Sequence, residues 1–346
     1  MTYSTNSTGI LLTNLGTPAA PTPKAVRHYL REFLSDTRIV ELPRWQWWPL
    51  LYGLILPLRS RYSAALYKKI WTEHGSPLLY FARRQVQGLS ANLKERGVDF
   101  PNIALGMRYG TPSIASALEQ LREKGAEKII ALPLYPQYSA ATTGSTFDCI
   151  SRILRTWRFI PALHLINHYA DNPHYIRALV CRIQDSWQQK AKGEKLLFSF
   201  HGIPARSVEQ GDPYFEQCHK TARLVAAQLD IADDSWQVVF QSRFGRQKWL
   251  TPYCDVILKN LARERVRTVD VICPGFSADC LETLEEISLR NKEIFLAAGG
   301  LELNYIPALN DQPLHIQALA EIVMPHISPS LFPSPLVGEG KRPRII

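Results

Sequence analysis

Short apolar runs alternate along this chain with stretches whose apolar positions recur every three or four residues. Residues 10–14 (ILLTN), 103–107, 128–134 (KIIALPL), 196–200 (LLFSF), 237–241 (QVVFQ) and 269–272 (VDVI) are predicted strands of the buried kind. Amphipathic helices are predicted at 113–124 (SIASALEQLREK, stopped by Gly125) and near 253–263. Strand and helix in alternation give βαβ units and parallel sheets, with right-handed crossovers placing helices on both faces.

The two halves of this pattern also match each other. Residues 10–18 (ILLTNLGTP) align with 196–204 (LLFSFHGIP), 108–110 (RYG) with 243–245 (RFG), and 135–140 (YPQYSA) with 273–278 (CPGFSA). Three matches in one order predict a duplicated α/β domain. The alignment also locates an insertion. Leu15 and Arg108 lie 93 positions apart, His201 and Arg243 only 42, so the first half carries 51 extra residues. Among them are Trp45, Trp47, Trp48, Tyr52, Tyr62, Tyr67 and Trp71. Such an insertion is either a helical cap with an aromatic core or a lip for a large flat apolar ligand.

Composition narrows the class. A chain of 346 residues suits two domains, and 46% hydrophobic with 21% charged residues is globular. The net charge of +9 favours anionic partners, but no block of five or six basic residues suggests a nucleic-acid arm. Six cysteines show no C-x-x-C spacing, and residues 1–9 are polar, without a signal-like pattern. Reduced thiols and a cytoplasmic location are expected. The longest uncharged apolar stretch, 45–58, has 14 residues broken by Pro49, Gly53 and Pro57. A spanning helix needs about 20. Membrane contact is therefore expected to be peripheral, with Trp47 taken as a contact residue. Residues 328–346, rich in Pro and Gly, read as a disordered tail.

Ligands of open α/β sheets sit beyond the carboxyl ends of the strands. His201 stands at such an end, before a Gly-x-Pro turn, where the first half has Leu15. It is a candidate base or metal ligand, or else a structural imidazole bonded to a carbonyl. The segment 273–286 (CPGFSADCLETLEE) runs from strand through turn to helix, with Ser277 or Asp279 as its expected cap. Glu282 and Glu286 are i, i+4 neighbours, so they repel unless a cation or protons hold them; the alternative is first-turn acids complementing the helix dipole. One imidazole and two carboxylates form a poor structural metal site but suit a transient divalent metal and proton transfer. Arg108 and Arg243 are candidate carboxylate binders or salt-bridged scaffold. No P-loop and no strand-linked G-x-G-x-x-G occurs, so nucleotide chemistry has no support.

Eight segments taken together resemble the ferrochelatases: LLTNLGTP, GSPLLYF (75–81), GMRYGTPS (106–113), LPLYPQYS (132–139), FSFHGIP (198–204), GDPYFEQC (211–218), FQSRFGRQKWLTPY (240–253) and CPGFSADCLETLEE. They occur in family order from about residue 8 to 325. The resemblance implies a chelatase-like pair of Rossmann-like, doubly wound domains with a porphyrin cleft between them. It places them at 8–160, with the aromatic lip at about 36–80, and at 161–311, with a C-terminal helix at 312–327 returning to the first domain. It implies insertion of Fe²⁺ into protoporphyrin IX, a lyase activity ending in protohaem, with iron as substrate. His201 and Glu282 are then the catalytic and metal-handling pair. Leu15, Arg108, Tyr109, Tyr214 and Phe276 become porphyrin contacts, and Glu286 and Asp279 a metal or proton path. Coproporphyrin, insertion of cobalt or nickel, and a non-catalytic haem carrier are the alternatives. Cys280 stands where some members have His, and the cysteine-free tail implies no iron–sulfur cluster.

Overall fold

The computed structural model describes residues 8–98, 101–245 and 247–327; the tail expected at 328–346 lies outside them. The chain runs β1 (Thr8–Thr17), α1 (Pro23–Leu34), α2 (Arg44–Leu50), a π-helical turn (Leu51–Ile55), α3 (Leu56–Ile70), α4 (Pro77–Glu95) and β2 (Asn102–Gly110). It continues through α5 (Ile114–Glu123), β3 (Lys128–Pro133), a second π-turn (Ala140–Gly144), α6 (Ser145–Leu154), β4 (Ala162–Leu165) and α7 (Pro173–Gln189). The second half is β5 (Lys195–His201), α8 (Ala205–Glu209), α9 (Tyr214–Gln228), β6 (Trp236–Gln241), α10 (Cys254–Arg263) and β7 (Thr268–Ile272). A long π-helix (Glu282–Asn291), α11 (Lys292–Ala297), β8 (Glu302–Ile306) and α12 (Pro313–Ile327) complete it.

Two parallel sheets result, ordered β2-β1-β3-β4 and β6-β5-β7-β8. The orders are equivalent, as a duplicated doubly wound α/β fold requires. The central strands are the ILLTN and LLFSF runs, buried on both faces because helices cover each sheet. The first sheet extends past residue 160, because β4 hydrogen-bonds to β3 through Leu165.

Strand register corrects the alignment of the halves. Asn14 pairs with Met107 and Gly16 with Tyr109, so Leu15 stands level with Arg108. His201 pairs with Gln241. Arg108 therefore corresponds to Gln241, and Arg243 lies two residues further on. Likewise Ile130 and Asp270 pair with the matching positions Ile10 and Leu196, so Tyr135 corresponds to Gly275 and not to Cys273. The loop after the second strand explains the slip. The Met107 amide bonds to Pro112 and the Phe240 amide to Pro252, so the later loop holds seven more residues.

The last helix of each half crosses to the other. Helix α7 follows the first sheet but bonds to the second: the Trp187 indole to Asp270 at 2.6 Å and Lys190 to Asn304 at 3.0 Å. Helix α12 follows the second sheet and returns to the first, where Arg96 pairs with Glu321 at 2.8 Å and Lys128 donates to the His326 carbonyl at 2.6 Å. One hydrophobic core accordingly runs through Leu12, Ile130, Phe198 and Phe240 without a break.

The insertion folds as α2, its π-turn and α3. Pro49 lacks the amide for a regular bond, and the helix widens directly after it. Leu34, Val40, Trp47, Leu51 and Leu56 form its own small core. Trp47 is buried and its indole donates to the Leu34 carbonyl at 2.7 Å, so it is no surface contact. Trp45, Trp48, Leu50, Tyr52, Leu54, Leu58 and Tyr62 are its large exposed apolar residues. The insertion thus has both features that the sequence left open: an aromatic core and an apolar outer face.

Candidate active site

His201 ends β5 and is half-buried. Its Nδ1 lies 2.7 Å from the Gly202 carbonyl oxygen. A carbonyl only accepts, so Nδ1 carries the hydrogen and the neutral ring keeps its Nε2 lone pair free for a proton or a metal. Gly202 beside it sits in little space: a Cβ there would lie 3.0 Å from the Gln241 carbonyl oxygen and 3.3 Å from the Trp249 ring.

Gln241, the ladder partner of His201, joins the strand end to the π-helix. Its Oε1 accepts from Ser199 Oγ at 2.7 Å and its Nε2 donates to the Glu282 carbonyl at 2.8 Å. Ser242 follows in the left-handed region, φ 65°. That conformation turns both its amide, at 2.9 Å, and its hydroxyl onto the Glu286 carboxylate. Sequence reasoning passed over both residues. The available signal was their place at the strand exit opposite His201.

Burial raises the Glu286 pKa; the Ser242 hydrogen bonds and the charges of His201 and Arg290 oppose the rise, and Glu282 adds to it. His201, Glu282 and Glu286 therefore share one electrostatic neighbourhood. Glu282 also acts on the first half. Burial raises the pKa values of Tyr29, Tyr67 and Tyr135, and the Glu282 charge pushes them further in the same direction. The Glu282 charge thus reaches tyrosines of α1, of α3 and of the loop after β3, all in the first half.

Arg108 is held rather than free. It pairs with Asp36, donates to Ser145 Oγ at 2.7 Å and lies 4.5 Å from the Tyr109 ring centre. Tyr109 donates to the same Asp36 at 2.8 Å. Burial pushes the Asp36 carboxyl up, but hydrogen bonds from Ser145, the Arg38 amide and Tyr109, with the Arg108 charge, leave it below its ordinary value. Gly16 lets β1 lie against this strand: its φ is +105° and a Cβ would fall 1.8 Å from the Tyr109 carbonyl oxygen. Arg243 is elsewhere, exposed and forked onto Asp255 at 2.8 and 3.1 Å.

The remaining predicted residues divide. Leu15 and Phe276 are half-buried, Leu15 at the β1 exit and Phe276 against Leu78 and Cys280. Tyr214 is buried in the shared core. Asp279 holds the turn: its oxygens accept from Thr283 at 3.0 Å, Tyr305 at 2.5 Å, the Ala308 amide at 3.3 Å and Asn310 at 2.7 Å. Neither Asp279 nor Ser277 caps the helix. Among the described residues no three His, Cys, Asp or Glu side chains form a ready metal cluster. A cavity of about 580 Å³ beside Arg38, Phe147, His168 and Gln217 contains none of the three site residues.

Comparison with known proteins bears on the family of the chain. The ferrochelatase family model matches residues 7–327. The ferrochelatase of Nitrosococcus oceani is 54% identical over 319 residues, covering 92% of this chain and 86% of its own. That of Methylococcus capsulatus is 51% identical over 321 residues, covering 93% and 97%. Among solved structures, SirB from Bacillus subtilis with Fe³⁺ superposes with a TM-score of 0.53 over 92% of this chain and 94% of that one; at 13% identity it speaks for the fold alone.

Proposed function

The chain belongs to the ferrochelatase family and inserts ferrous iron into protoporphyrin IX to form protohaem, a lyase reaction, and we propose that His201, Glu282 and Glu286 carry its chemistry. Two pyrrole N–H protons must leave as Fe²⁺ enters, and the ion must approach from outside the ring plane. Bending the macrocycle exposes the nitrogen lone pairs, and a rigid aromatic cleft supplies that strain from binding energy. His201 Nε2, left basic by the Nδ1–H bond to Gly202, takes a proton. Glu282 presents charge to the incoming ion. Glu286, whose pKa is raised by burial, takes up a proton more readily than an exposed carboxylate and interacts electrostatically with both.

Leu15 stands level with Arg108 on the neighbouring strand, and we place Leu15, Arg108, Tyr109 and Phe276 at the porphyrin cleft. The observation that carries this reading is the Nε2 lone pair of His201 in one electrostatic neighbourhood with Glu286 and Glu282, of which Glu282 also acts on tyrosines of the other half. Asp279, saturated by four donors, is left to shape the turn.

The exposed apolar face of the insertion adjoins exposed Arg59, Arg61 and Lys68 on α3. Apolar side chains beside basic ones suit an anionic membrane surface. No helix among the described residues is long and apolar enough to cross a membrane. We assign this face to reversible membrane contact from the cytoplasmic side, where a poorly soluble porphyrin is exchanged.

An anaerobic assay with Fe²⁺ and either protoporphyrin or coproporphyrin tests the reading. Repeated turnover with protoporphyrin as the better substrate is expected. Uptake of one equivalent without turnover would mark a carrier, and faster turnover of coproporphyrin would change the substrate.

A further inference from the structure

Glu285 shares the π-helix with Glu282 and Glu286 but is turned into the protein, 2% exposed. A carboxylate so buried needs charged partners, and it has two from different elements. Its Oε1 accepts from Lys69 Nζ of α3 at 3.4 Å, and its Oε2 accepts from Arg290. Lys69 is half-exposed, so its charge reaches in from the surface to close the triad.

The Glu285–Arg290 pair spans five residues. On an α-helix, residues five apart point about 140° apart around the axis. In a π-helix the backbone bonds link residues five apart, and such side chains meet. The pair therefore favours the wider winding that residues 282–291 adopt. Lys69 adds a tie to the insertion, where Tyr67 and Ile70 also pack on Leu281 and Leu284.

We propose that Lys69, Glu285 and Arg290 form a positioning latch that holds the π-winding and fixes this helix against α3, so that Glu282 and Glu286 stand at the right height for His201. Glu285 is a positioning residue; it need not touch iron or porphyrin. The proposal rests on the reading of Glu282 and Glu286 as site groups. Its cause is geometric: a reacting group displaced by 1 Å loses about 10²-fold in rate, while the flat ring is held by other surfaces. The latch also gives the aromatic insertion a direct mechanical link to the carboxylates.

The test compares Glu285→Gln, Lys69→Gln, Lys69→Arg and Glu282→Gln in the full chain, measuring kcat, porphyrin KM, porphyrin affinity by fluorescence, and Tm. Supporting partners of a metal-handling group typically matter by about 10–100-fold. Glu285→Gln is expected to lower kcat within that range and leave porphyrin KM unchanged. Lys69→Gln should lower kcat in the same sense but by less, and Lys69→Arg should restore it. Normal kcat in Lys69→Gln, a loss appearing in KM instead of kcat, or no recovery with Arg would overturn the latch. If Glu285→Gln does not fold, the two Lys69 variants decide alone. Undiminished kcat in Glu282→Gln would bring down the underlying site reading; an impaired Glu282→Gln beside a normal Lys69→Gln would bring down only the latch.

Discussion

His201 occupies the strand exit where the other half has Leu15, so the duplicated fold presents an imidazole on one side of the gap only. His201→Ala is expected to abolish metal insertion while the chain still folds and binds porphyrin; near-normal turnover in that variant contradicts its role. At this scale the sequence was legible wherever a residue's place implied its chemistry. His201 stood at a strand exit, and Glu282 and Glu286 on the helix that follows another, in a fold whose ligands gather there. Gln241 and Ser242 were not legible, because their work depends on ladder register and on a left-handed φ. The string Arg-Phe-Gly led the alignment astray at Arg243: it copies Arg-Tyr-Gly, but a loop longer by seven residues carries it out to solvent. Asp279 looked like a helix cap, and only its partners Tyr305 and Asn310, far along the chain, reveal it as a turn anchor.

Among the elements, the insertion shows how an apolar count fails to say which way side chains point. Trp45 is 75% exposed and Trp48 50%, while Trp47 is 7%. Helical geometry separates these neighbours by about 100° per residue, so Trp47 turned inward leaves Trp45 and Trp48 outside. Trp45→Ser with Trp48→Ser is expected to weaken binding to anionic vesicles and leave Tm unchanged. Trp47→Ala should do the opposite, costing about 3–5 kcal/mol in unfolding free energy as a buried aromatic is lost. Vesicle co-sedimentation alongside urea titration checks both; equal effects from the two variants would contradict the assignment of faces. Strands β4 and β8 escaped the sequence reading because they are short and lie at sheet edges, with Ala162 and Glu302 exposed. The repeat of their following helices was legible and passed over: residues 171–179 (DNPHYIRAL) and 311–319 (DQPLHIQAL) agree at five of nine positions.

For the molecule as a whole, the exchanged helices α7 and α12 make the two sheets one folding unit. The two halves therefore share a core and do not slide freely against each other. A buried histidine ties α12 into this unit. His315 donates through Nδ1 to the Asn310 carbonyl at 2.7 Å, and burial pushes its pKa down to about 4. A base depressed in this way supports the fold while neutral. Its support is complete above the unfolded value of about 6.5 and is lost as pH falls toward about 4, a difference of about 3 kcal/mol. In His315→Gln the unfolding free energy should fall less steeply between pH 7 and pH 5 than in the parent chain, by about 2 kcal/mol over that interval. Parallel slopes in urea titrations at the two pH values would show that this imidazole is not what acid attacks. The doubly wound class could be read from apolar runs, and the duplication from matched strand-exit segments, two of which the register shifts by two residues. The return of α12 to the first half came only with the family resemblance and the crossing of α7 not at all, because local pattern carries no record of which sheet a helix returns to.

The central claim is that a carboxylate of the second half does chemistry on a ring held by both halves. Glu282→Gln tests it most directly, since Gln keeps the shape but removes charge and basicity. The variant should lose about 10²–10⁴ in kcat, the usual scale of acid–base help, while porphyrin affinity, read by fluorescence on the same preparation, stays as in the parent. Intact kcat with weakened porphyrin binding would show Glu282 to be a substrate anchor and would contradict this account of the site.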